Sequence, residues 1–187
     1  MASNEQLTDG LRNLQAIAFD VDGTLTDGRI TWAPNGEEFK TFAFPDIMGI
    51  SLLRRLGLKM ALISGEAVPQ VDIFAKKLHI PFVAKGIRDK AAALYEFSQK
   101  FSVPLENTCF FGDDVNDLFA MEVAGLCACP ANAVPEVLDY VTQRAANGTG
   151  FVSEIPGGFG AARSFADALI AARNLRGRDV FLMRPPE

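Results

Sequence analysis

Five short apolar runs, at 16–19, 60–63, 81–84, 108–111 and 126–128, alternate with segments whose apolar residues recur at helical spacing, at 47–56, 68–78, 90–101 and 117–124. Runs of this length that are apolar throughout fit strands buried on both faces. Parallel strands need crossovers of a dozen residues or more, and a helix supplies them. The pattern therefore predicts an α/β fold, a doubly wound and mainly parallel sheet covered by helices on both faces. In the first of these helices Ile47, Ile50, Leu53 and Leu56 share one face, with Asp46 expected as N-cap and Gly57 as the C-terminal stop.

One segment breaks the alternation. Residues 29–32 and 38–42 flank Ala33-Pro34-Asn35-Gly36-Glu37, whose Asn-Gly is a strong hairpin signal. A hairpin here would stand over the carboxyl end of the first strand as a flap, with no length left for a separate cap domain. The 187 residues are read as a single domain with its core at about 14–173. The tail at 174–187, basic and then proline-rich, is expected to extend from that core.

Composition narrows the partners. The net charge of −5, without a basic run, argues against nucleic acid or an anionic membrane surface. No stretch approaches the roughly 18 apolar residues of a membrane span, and residues 1–10 carry no apolar signal core, so a cytoplasmic location is expected. Cys109, Cys127 and Cys129 lie in apolar strand-like runs and read as reduced, buried thiols. With His79 as the one histidine, they lack the spacing of a zinc site.

In a doubly wound sheet, ligands bind beyond the carboxyl ends of the strands. Four polar clusters fall there: Asp20-Val21-Asp22-Gly23, Ser64-Gly65-Glu66, Asp89-Lys90, and Gly112-Asp113-Asp114-Val115-Asn116-Asp117. Taken singly, each is a common turn, cap or solvated helix start. Together, Asp20, Asp22, Asp113 and Asp117 would repel strongly unless cations or protons offset them. Mg²⁺, a hard ion that binds carboxylates together with phosphate oxygens, suits such a set and points to phosphoryl transfer. Asp20 would attack in line, and Asp22 would act as general acid and then base. Gly23 would allow close approach of backbone to the anion. Lys90 would stand in the first turn of a helix, against the dipole, as lysines kept for function do. Ser64 could offer a hydroxyl and a backbone N–H to a phosphate oxygen.

Asp20-Val21-Asp22-Gly23-Thr24-Leu25-Thr26, Ile63-Ser64-Gly65, Lys90 and the Gly112–Asp117 cluster resemble the four ordered motifs of the haloacid dehalogenase superfamily, with its Rossmann-like core, over about residues 14–155. The resemblance implies that Asp20 is the nucleophile and Asp22 the acid/base. It implies that Ser64, Gly65 and Lys90 bind phosphate. It also gives Mg²⁺ as cofactor, held by Asp20, Asp113 and the backbone carbonyl of Asp22, with Asp114 and Asp117 as outer-shell ligands.

Thr26-Asp27-Gly28, the hairpin and the missing cap resemble the capless 3-deoxy-D-manno-octulosonate 8-phosphate phosphatase subfamily, whose members form tetramers. A homotetramer acting on a sugar acid phosphate is implied. Glu66 with Lys77 resembles the branch that acts on nine-carbon acids, and Pro45 and Ser153 replace arginines usual in the eight-carbon branch, so the nine-carbon acid is slightly favoured. Two other readings stand beside this one. A non-catalytic tetramerisation module, like the domain appended to CMP-sialate synthetases, would be favoured by loss of Asp20 or Asp22, yet both are present. A phosphoacceptor receiver domain would lack the Asp-x-Asp-Gly pair and the late acidic cluster.

Overall fold

The computed structural model describes residues 2–186. The chain runs α1 (Ala2–Asn13), β1 (Ala16–Phe19), β2 (Thr31–Trp32), β3 (Glu38–Phe39), α2 (Phe44–Arg55), β4 (Lys59–Ile63), α3 (Pro69–Leu78), β5 (Phe82–Ala84) and α4 (Lys90–Phe101). It continues through β6 (Thr108–Phe111), α5 (Leu118–Val123), β7 (Leu126–Cys129), α6 (Pro135–Ala146), β8 (Gly150–Val152), α7 (Ala161–Ala172) and α8 (Gly177–Leu182). Six strands form one parallel sheet in the order β5-β4-β1-β6-β7-β8.

Side-chain alternation along the strands divides the core in two. Ile17, Phe19, Met60, Leu62, Cys109 and Phe111 point to a layer made by α1, α2, α3 and α7. Ala16, Ala18, Ala61, Ile63, Phe110 and Cys127 point to a layer made by α4, α5 and α6. Both faces are apolar because both are covered, which is why these strands read as unbroken apolar runs. The three cysteines are free and buried in these layers. Burial pushes the Cys127 thiol up to about 11 and that of Cys129 to about 12, which leaves them as packing groups.

The expected doubly wound sheet is present, and three local expectations are corrected. Asp46 does not cap its own helix: Ala43 is the N-cap of α2 and makes no side-chain cap bond. The buried Asp46 carboxylate instead accepts the backbone N–H groups of Gly160 (3.0 Å) and Arg163 (3.2 Å) at the start of α7. It supplies from a distant segment the acceptor that Gly160, the N-cap of α7, lacks. The tail does not extend away. Its α8 buries Val180 against Leu52 of α2 and Ile170 of α7, and Arg55 donates to the Met183 carbonyl at 2.6 Å. Ahead of the expected core boundary, α1 buries Leu11 beside α7. In both terminal segments a few apolar residues suffice for docking, although the surrounding sequence is polar.

The hairpin forms as read: β2 and β3 pair antiparallel, with Thr31 opposite Phe39 and Gly36 in the turn at φ +83°. Beyond β3 the chain stays extended, and exposure alternates from Glu38 to Phe42. Phe42 stacks on Phe74 of α3 with ring centroids 3.9 Å apart. Among the described residues no helix is long and apolar enough to cross a membrane.

Candidate active site

The chain winds outward from β1 to β4 and β5, then returns to place β6 on the other side of β1. The carboxyl ends of β1 and β6 therefore flank the switch point, where a crevice opens above the sheet. Asp20 immediately follows β1, and its N–H extends the ladder to the Phe111 carbonyl at 2.8 Å. Asp113 follows β6 by two residues, and Lys90 begins α4. Asp89 caps α4 by accepting the Ala92 N–H at 2.9 Å, which fixes the turn that aims Lys90 inward.

The Lys90 ammonium is buried between two carboxylates, 2.6 Å from Asp20 Oδ1 and 2.6 Å from Asp117 Oδ1. Asp117 uses its other oxygen to accept the N–H groups of Asp113 (2.9 Å) and Asp114 (3.2 Å), tying down the loop after β6. Asp113 accepts the Thr24 hydroxyl at 2.9 Å. Oxygens of Asp20, Asp113 and Asp117 lie within 4.8 Å of one another.

These charges do not balance by themselves. Burial, and then repulsion from Asp117, hold the Asp20 carboxyl well above the ordinary carboxylate range, although Lys90 pulls against both. Burial pushes Asp113 up to about 6, with the Thr24 hydrogen bond opposing and Asp117 and Asp114 adding repulsion. Lys90 is held above its ordinary value: burial, its largest influence, acts downward, and Asp20 and Asp117 together outweigh it. Three carboxylates against one ammonium leave two negative charges, which a divalent cation with a taste for oxygen would offset. The donor set fits such an ion.

Asp22 is held by a separate set of contacts. Its carboxylate pairs with the Lys40 ammonium, and its Oδ2 is 3.5 Å from the Ser64 hydroxyl. Ser64, fully buried after β4, accepts the Glu66 N–H at 3.0 Å. Gly65 is adjacent and exposed. The structure thus gathers Asp20, Asp22, Ser64, Lys90, Asp113 and Asp117 beyond the carboxyl ends of the adjacent strands β4, β1 and β6.

Other expected site residues are placed differently. Asp114 is exposed and caps a short turn through the Val115 N–H at 2.7 Å, outside the carboxylate cluster. Asp117, expected as an outer-shell ligand, is fully buried close to Asp20 and Asp113, with both of its oxygens occupied by Lys90 and by the N–H groups of Asp113 and Asp114. Glu66 and Lys77 are both exposed, and among the described residues no ion pair joins them. Lys77 instead lines an apolar cavity of about 320 Å³ between hairpin and helices, together with Lys40, Phe42, Gln70 and Phe74. Ser153 is buried, and its hydroxyl accepts the Ile155 N–H at 3.0 Å.

Three contributors escaped the sequence reading. Thr24 stood within the first motif without a role. Lys40 carried a signal in the alternation of Glu38, Lys40 and Phe42, which sends all three to one side of an extended segment. Gly157 gave none: a Cβ there would fall 1.8 Å from the Gly23 carbonyl, so the loop after β8 buttresses the loop after β1 only as glycine. Gly23 itself lies at φ +89°, and a Cβ on it would fall 2.1 Å from Asp113 Oδ2. Its need for glycine therefore arises both from this left-handed backbone and from the facing carboxylate.

Comparison with known proteins identifies the family. Residues 59–152 match the haloacid dehalogenase-like hydrolase family. The 3-deoxy-D-manno-octulosonate 8-phosphate phosphatase of Escherichia coli K12 is 33% identical over 164 residues, spanning 86% of this chain and 81% of that protein. The phosphatase of the same name from Moraxella catarrhalis, solved in complex with magnesium ion, phosphate ion and KDO, superimposes with a TM-score of 0.80 at 29% identity, over 90% of this chain and 92% of that one. Its counterpart from Yersinia pestis gives 0.85 at 27% identity, over 97% and 91%.

Proposed function

The chain belongs to the haloacid dehalogenase-like hydrolases and is a phosphatase of that family, and on this premise we propose that it hydrolyses the phosphomonoester of a 2-keto-3-deoxy sugar acid with Mg²⁺ as cofactor. The observation that carries the reading is the Asp20 carboxylate at the end of the central strand, held through Oδ1 by Lys90 and flanked by Asp113 and Asp117.

In this reading Asp20 Oδ2, which has no hydrogen-bond donor among the described residues, attacks phosphorus. An aspartyl-phosphate forms as the bond from phosphorus to the sugar oxygen breaks. Asp22, as the neutral acid, gives its proton to that oxygen, because an alkoxide leaves poorly without one. Water then attacks the phosphoenzyme, Asp22 takes the proton, and Asp20 is released with inorganic phosphate. The Ser64 hydroxyl, the N–H of Gly65 and the Lys90 ammonium hold the phosphoryl oxygens. Asp20 and Asp113, with the Asp22 carbonyl, would hold Mg²⁺, and Asp117, whose oxygens are taken by Lys90 and the N–H groups of Asp113 and Asp114, would act from the outer shell; when bound, the ion offsets phosphoryl charge and lets Asp20 stay ionised. Asp114 is assigned no more than a distant electrostatic role.

The named relatives support the eight-carbon acid, 3-deoxy-D-manno-octulosonate 8-phosphate, as the first substrate to assay. Glu66 favours a nine-carbon acid as the second, because it stands two residues after Ser64 where the eight-carbon branch usually carries an arginine, and Pro45 and Ser153 likewise replace arginines that could hold a substrate carboxylate. Lys77, in the same cavity as Lys40, is the matching specificity residue. A homotetramer is supported by Trp32, Phe39, Phe44 and Ile73, large apolar side chains left exposed around the hairpin and the neighbouring helices.

The test is phosphate release from both acid phosphates, with Mg²⁺ and with EDTA, by wild type, Asp20→Asn, Asp22→Asn and Glu66→Arg. Asp20→Asn should be inactive yet folded, Asp22→Asn slow, and Glu66→Arg shifted toward the eight-carbon acid. Turnover retained by Asp20→Asn would refute the mechanism, and inactivity of wild type on both acids would refute the substrate class.

A further inference from the structure

The hairpin does more at this site than stand over it. Glu38, Lys40 and Phe42 point to the same side of an extended segment, and each is fastened. Gln70 of α3 donates to the Glu38 carbonyl, Phe42 stacks on Phe74 of the same helix, and Lys40 between them reaches Asp22. The Lys40 side chain is only 2% exposed and also lies 2.9 Å from the Glu38 carboxylate. A lysine so enclosed, with an anchor two residues away on either side, has little freedom to swing. Its contact with Asp22 is therefore imposed by α3 through the hairpin base.

The contact also selects one carboxylate oxygen. Lys40 occupies Asp22 Oδ1, which leaves Oδ2 toward Ser64 Oγ, at 3.5 Å. Resting on the reading above, we propose that Lys40 is a positioning residue: it turns Asp22 so that Oδ2 presents its proton to the leaving oxygen of a phosphate seated at Ser64. The hairpin base, braced by Gln70, thereby governs acid catalysis without touching the phosphoryl group. General acid catalysis is worth about 10²–10⁴-fold, and a carboxyl free to rotate loses part of that.

The leaving group separates this role from a structural one. A sugar alkoxide needs the proton, whereas p-nitrophenolate leaves without it. Lys40→Met, which keeps the aliphatic stem, should lower kcat/KM for the sugar acid phosphate by about tenfold or more and for p-nitrophenyl phosphate by less than about threefold. Lys40→Arg should restore most of the loss. Gln70→Ala, which keeps the lysine but removes one brace of the hairpin base, should show the same leaving-group dependence at smaller amplitude, and it stands as the test should Lys40→Met fail to fold. Equal losses on the two substrates, or no loss, overturn the positioning role while wild-type turnover leaves the phosphatase reading intact. Wild type inactive on both substrates defeats that reading instead.

Discussion

If the acidic cluster is built for a cation, the metal-free protein carries a stability penalty that one substitution should remove. Asp113→Asn keeps an acceptor for the Thr24 hydroxyl and deletes one of the three crowded charges. The Asp113 carboxyl titrates near 6 in the folded chain against an ordinary 3.8, chiefly through burial. A raised carboxyl binds its proton more tightly when folded. Its favourable contribution is complete below about pH 4 and is lost as the pH rises through about 6. Two pH units correspond to about 3 kcal/mol, an upper bound because the amide is also desolvated. At pH 8 in EDTA, Asp113→Asn should therefore be more stable than wild type by about 1–3 kcal/mol, or about 3–10 °C in Tm for a chain of this size. The gain should shrink as the pH is lowered toward 4. Mg²⁺ at a hundred times its Kd should raise wild-type stability by about 2.7 kcal/mol and leave Asp113→Asn nearly unmoved. Thermal melts at pH 8 and pH 4.5, each with and without Mg²⁺, read all four quantities. A metal-free Asp113→Asn that melts below wild type at pH 8, or one that keeps the full Mg²⁺ response, would show that the cluster is not a strained cation site.

Further substitutions test how the frame holds the site. Asp46→Ala strands the N–H groups of Gly160 and Arg163 and should cost about 1–3 kcal/mol in a denaturant titration; a change under a few tenths would remove the cap from the account. Gly157→Ala drives a Cβ into the Gly23 carbonyl, so the loop carrying Asp20 and Asp22 must move, and kcat should fall at least about tenfold even where the chain still folds. Val180→Asp places a charge in the buried contact of α8 with Leu52 and Ile170 and should release the tail to proteolysis while turnover continues. Protection of the tail unchanged by that substitution would argue against the docking.

The central strands were legible because they are buried on both faces: 16–19, 109–111 and 126–128 are apolar throughout, whereas the edge strand β8, half-buried and only three residues long, gave no such run. The acidic motifs were legible for a related reason, since a carboxylate that follows an apolar strand has only the sheet's carboxyl edge to occupy. Their local chemistry is written within four or five residues. Partnerships across the fold were not. Asp46 has the position of a cap for its own helix, and only tertiary packing showed that it serves α7, 114 residues along the chain from Asp46 to Gly160. Lys40 and Asp22 meet because α3 fixes the hairpin base, and Gly157 is required by a carbonyl of another loop. Local sequence sets propensity and charge, whereas the choice of partner for a buried polar group is made by whichever distant segment the core brings within about 3 Å.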